Sequence, residues 1–141
     1  MARMSGTLYL VHAILELGLG AMKLRGRYDG QKEAGPEAKL IQHHGVALLA
    51  LALLGGLVWY CKLGETETGQ ITSAVLCFFH AGAAAVHAHA WSTGSAKSAS
   101  VFAMHLPFAL LFLLDAFRTR GPSAGAAKTI AKPSAGAAKT S

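Results

Sequence analysis

Residues 40–60 read LIQHHGVALLALALLGGLVWY, a stretch with no Asp, Glu, Lys or Arg. At about 1.5 Å of rise per residue, a run of this length crosses the ~30 Å hydrocarbon core of a bilayer. Three further apolar runs lie around it, at residues 7–24, 70–91 and 99–117. Together they predict an all-α fold: a four-helix transmembrane bundle, antiparallel and up-down, filling residues 1–120 as one domain. The joints agree. Gly35-Pro36-Glu37 places a proline at a first helical position and an acid in the first turn. Gly64 stands where a left-handed cap would close helix two, and Thr68 is placed to cap helix three. Trp59-Tyr60 and Trp91 end their helices as interfacial aromatics do. The short second and third connections make helices two, three and four antiparallel neighbours.

The remainder, residues 121–141, differs in kind. It repeats the octamer PSAGAAKT at 122–129 and 133–140. Ala, Gly, Ser and Lys supply no side chain large enough to build a core, so a disordered basic tail is expected there.

Composition narrows the function classes. Charged residues are 14% of the chain, against about 25% in a typical soluble domain. The net charge of +6 comes from loop and tail residues with no aromatic interleaving. That pattern belongs to membrane-helix flanks, and no nucleic-acid partner is expected. Basic residues number six on the side of Lys23 and Lys97 and seven on the side of Lys62 and Arg118, so charge bias sets no orientation. Cys61 and Cys77 sit at different depths and are expected to be free thiols rather than a disulfide. There is no Ser–His–acid order, phosphate loop, CxxC, CxxCH or HExxH. Nucleophilic catalysis is therefore not expected, and neither an attached haem nor a helical zinc motif is signalled.

Histidine in every helix is the chemical clue, because a polar side chain inside a bilayer needs partners. On helix one, His12 and Glu16 are four apart on a stripe with Tyr9, Gly20 and Lys23. An acid at helix centre costs about 2.5–3.5 kcal/mol to insert, roughly what eight large aliphatics at ~0.3–0.6 kcal/mol each return. This helix must turn that face inward, as a structural pair or as a proton relay. Helix three carries Ser73, Cys77, His80, Ala84, His87 and Trp91 in alternating steps of four and three. The small residues around that stripe suit a central, closely packed helix. His89 lies about 200° from His87 and is expected at the interface. Measured from the helix ends, His44, His87 and His105 share one depth, with His80 and Glu16 deeper. Three imidazoles at one depth on separate helices are a candidate cofactor site, haem being the cofactor such a layer best suits. His12 and Glu16, with His80 nearby, form a candidate intramembrane polar pair. Asp115 and Arg118 read as a surface ion pair at the far boundary.

The motifs GLGAMKL at 18–24 and VALLALALLGG at 46–56 resemble the first two helices of DoxX-type four-helix membrane proteins. That resemblance implies a small membrane subunit linked to quinone or sulfur redox systems. The leading functional expectation is a non-catalytic accessory or assembly subunit of a larger, energy-transducing membrane complex. The lipid bilayer and other membrane subunits would be its partners, in a bacterial or organellar inner membrane. The alternatives are a His-lined haem- or metal-binding redox bundle, and a small proton or solute pathway through Glu16, His12 and His80.

Overall fold

The computed structural model describes residues 3–25 and 36–118; the repeat tail and most of the first loop lie outside the described residues. Four helices run in order: α1 (Arg3–Leu24), α2 (Pro36–Tyr60), α3 (Glu67–Ser92) and α4 (Ala96–Ala116). A single 3₁₀ turn, Leu63–Glu65, joins α2 to α3, and there is no strand among the described residues. All four helices are long and apolar enough to cross a membrane, over Gly6–Leu24, Lys39–Tyr60, Glu67–Ser92 and Ala96–Ala116. Pro36 opens α2 as its position predicts.

The second connection departs from the expected caps. Lys62, not Gly64, takes the left-handed conformation (φ 55°), while Gly64 lies buried in the 3₁₀ turn. Thr66, not Thr68, caps α3: it is extended, and its hydroxyl accepts from the Gly69 amide at 3.3 Å. The same hydroxyl donates to the Leu63 carbonyl at 2.6 Å, tying the turn to the helix start. Helix three therefore begins a turn earlier than its apolar run, because the cap and not hydrophobicity sets the boundary. Gly94, at φ 106°, makes the sharp turn between α3 and α4, a conformation that glycine adopts without steric cost.

Packing follows the hairpins, α1 along α2 and α3 along α4. The first pair comes closest at two glycines. A Cβ at Gly20 would stand 2.9 Å from the Gly45 carbonyl oxygen, and one at Gly45 would stand 3.0 Å from that of Gly20. The hairpins meet through longer side chains. Tyr9, Val58, Leu76 and Phe112 form the apolar cluster between them.

The radial pattern is that of a membrane protein. Phe78 and Phe117 are 82% and 80% exposed, with Leu40, Leu53 and Leu114 also outward. His12, Glu16, Ser73, His80, His105 and Asp115 are buried. Lipid accepts the apolar exterior, and the polar groups find each other inside. Cys61 and Cys77 are free. Asp115 corrects an expectation: it lies buried on the inner face of α4, where Ser73 Oγ donates to its Oδ2 at 2.6 Å. Arg118 Nη1 lies 3.9 Å from Glu65 Oε1.

Candidate functional site

The stripe on α1 faces the bundle axis, with Tyr9, His12, Glu16 and Gly20 all buried. His12 Nε2 stands 3.6 Å from Glu16 Oε1, and His80 Nε2, reaching in from α3, stands 3.9 Å from the same oxygen. The three side chains are 0%, 4% and 1% exposed respectively. Aromatic rings wall them in. His12 meets Phe112 edge-on with centroids 5.2 Å apart, and His80 stacks on Phe108 at 5.1 Å. Both nitrogens of His12, Oε2 of Glu16 and Nε2 of His80 have no hydrogen-bond partner. The pairing of His12 with Glu16 and the nearness of His80, both expected from spacing, are thus found together. Their separations are longer than hydrogen bonds.

His105 corrects the expected layering. It does not belong to the upper layer alone: its Nδ1 lies 2.8 Å from His80 Nδ1, a hydrogen bond that joins it to the deeper group. The reason is the start of α4. The helix begins at Ala96 and not 99, which places His105 roughly 13 Å below its first residue at 1.5 Å per residue. His105 also stacks on His87, with centroids 6.3 Å apart and ring planes at 9°.

Above this group, a cavity of about 540 Å³ is lined by all four helices. Glu16 and His105 border its inner part, and Lys23 and Lys97 line it from the last turn of α1 and the first turn of α4. The structure brings His44, His87 and His105 to the wall of this one cavity. The walls between are apolar: Leu19, Ile41, Leu48, Val101 and Met104. This size and lining match the ~300–1,000 Å³ of small-molecule and cofactor pockets, which bundles place between helices. Lys23 Nζ bonds His44 Nδ1 at 2.8 Å, and His87 Nδ1 is buried without a hydrogen-bond partner. His89 is exposed at the helix end, as expected.

Sequence reasoning missed three features. Lys23 is on the predicted stripe, but its bond to His44 depends on how α1 crosses α2. Lys97 and Ser98 read as loop residues, yet they line the cavity because α4 starts early. Asp115 reads as surface, although its spacing from His105, Ala109 and Phe112 already places it on their face.

Comparison with protein-family models, curated proteins and solved structures gives no match to this chain.

Proposed function

We propose that this integral membrane protein is a cofactor-binding redox bundle that holds a haem-type group in the four-helix cavity. One observation carries the reading: histidines from α2, α3 and α4 line one cavity together with aliphatic side chains and two lysines. Such a cavity suits a flat, largely apolar group with an anionic edge. Neutral imidazoles supply axial ligands to iron, and lysine ammoniums bind carboxylates.

The hydrogen bonds select the ligand pair. His80 Nδ1 and His105 Nδ1 are bonded; with His80 the donor, the proton of a neutral His105 sits on Nε2, which leaves it no free nitrogen to bind and makes it a positioning residue. His44 and His87 belong to opposite hairpins and would hold the iron of such a group between them. While Lys23 donates to His44 Nδ1, the proton of a neutral His44 sits on Nε2. An anionic edge at the cavity mouth would compete for Lys23 and leave His44 Nδ1 available to the iron. Electron transfer is the activity this arrangement serves, in a bacterial or organellar inner membrane. Membership of the DoxX-type proteins is proposed on the motifs of helices one and two alone.

The test is titration of haem into the full chain purified in detergent. A stoichiometric Soret band should form, be lost in His44→Ala and His87→Ala, and shift in His105→Ala. Equal binding by all three variants would refute the assignment. A second reading, a subunit of a larger energy-transducing assembly, is favoured by the broad apolar exterior, which suits a neighbouring membrane helix as well as lipid. Migration of the native protein as a lone monomer would exclude it.

A further inference from the structure

We propose that His12, Glu16 and His80 form a second, deeper site that binds one first-row divalent transition-metal ion. The site stands independently of the haem reading, since none of the three is a ligand in it.

The distances favour a shared metal over a hydrogen-bonded cluster. A proton held between Glu16 and an imidazole would draw the heavy atoms to about 2.7–2.9 Å. The observed separations are 3.6 Å and 3.9 Å, too long for such bonds. Two ligands of one tetrahedral ion with bonds of ~2.1 Å lie about 3.4 Å apart, close to what is seen. One ligand atom from each of the three residues lies within 4.8 Å of the other two. The unpartnered atoms support this: His12 Nε2 and His80 Nε2, the two nitrogens that face Glu16 Oε1, are both buried without a hydrogen bond, as is the second carboxylate oxygen, Oε2. Polar groups so deeply buried are ordinarily satisfied, and one cation held at Glu16 Oε1 satisfies both imidazole nitrogens.

Two imidazoles and one carboxylate are the donor set of open zinc sites and of non-haem iron sites. The outer arrangement fits as well. With Nε2 on the ion, His80 keeps its proton on Nδ1 and donates it to His105 Nδ1 at 2.8 Å. A bond of that kind orients a metal-bound imidazole. On the other side, Gly55 leaves room for the His12 ring, since a Cβ there would stand 3.2 Å from His12 Nδ1. Glu16 also lines the cavity, which gives the ion a route in.

The probe is Co²⁺, titrated into the full chain in detergent and followed by its visible ligand-field bands. One ion per chain should bind with the strong absorption of four-coordinate cobalt. Glu16→Gln and His80→Gln should weaken binding at least 100-fold, and His105→Ala about 10-fold through the lost orienting bond. His44→Gln should leave it unchanged. Absence of binding at stoichiometric concentrations would overturn the proposal. So would cobalt retained by Glu16→Gln but lost in His44→Gln, which places the ion in the upper cavity. X-ray absorption on the unaltered chain decides the matter even where a variant fails to fold. Two imidazoles with a carboxylate oxygen support the site, and three imidazoles without one refute it.

Discussion

Tyr9 shows how one side chain joins the two hairpins. It is fully buried, donates its hydroxyl hydrogen to the Gly69 carbonyl at 2.6 Å and touches Ser73 Oγ at 2.5 Å. Ser73 in turn donates to buried Asp115, so α1, α3 and α4 are tied at one level. Tyr9 also packs on Phe112, with ring centroids 5.6 Å apart. Removing the hydroxyl keeps that ring contact and leaves buried acceptors short of a donor. Tyr9→Phe is therefore expected to cost about 1–2 kcal/mol, the usual worth of hydrogen bonds between membrane helices. Thermal unfolding in detergent measures it, and an unchanged midpoint would show that the network contributes no stability. The level is separate from the histidine group, with Phe108 and Phe112 between, so the same variant should leave haem and cobalt binding intact.

Among the elements, the α1–α2 crossing depends on two missing side chains. A methyl at Gly20 or Gly45 would press on backbone oxygen at 2.9–3.0 Å, and backbone yields less readily than a side-chain tip. Gly20→Ala and Gly45→Ala are each expected to destabilise the protein by roughly 1–3 kcal/mol, the range for overpacking a filled interior. Gly56→Ala is the control, because nothing lies within 4 Å of its Cβ position; it should sit within ~0.5 kcal/mol of the parent. Similar losses at all three positions would mean that helix crossing is not set by these glycines. At this scale much was legible in the sequence. Four spans, their inward stripes and the burial of His12, Glu16, Ser73 and His80 follow from 3.6-residue periodicity and the cost of polar groups in lipid. The depth of His105 and the caps at Lys62 and Thr66 were not legible. They depend on where a helix begins, and local hydrogen bonds rather than hydropathy decide that. The partnership of His105 with His80, and of Lys23 with His44, depends on how hairpins meet, for which periodicity holds no information.

Across the whole bundle, the described residues are arranged one-sidedly. The apolar cluster of Tyr9, Val58, Leu76 and Phe112 lies toward one end, and the histidine-lined cavity lies toward the other. Ser98, buried on the cavity wall near the start of α4, makes this testable. In a chain carrying Cys61→Ser and Cys77→Ser, Ser98→Cys should react with a membrane-impermeant maleimide added to one face of a vesicle only. Leu114→Cys, which points outward to lipid, should resist the reagent from both faces. Reaction of Ser98→Cys from both faces, or from neither, would contradict one-sided access. Bound haem should slow the labelling of Ser98→Cys, because the two compete for the same space.

The most direct measurement is the absorption spectrum of the protein purified gently from its own membrane, with metal content determined on the same sample. A Soret band with two imidazole ligands at one haem per chain is expected, together with a second metal ion that is not haem iron. A colourless protein, unable to take up haem when it is supplied, would contradict the central claim that the four-helix cavity is a cofactor site.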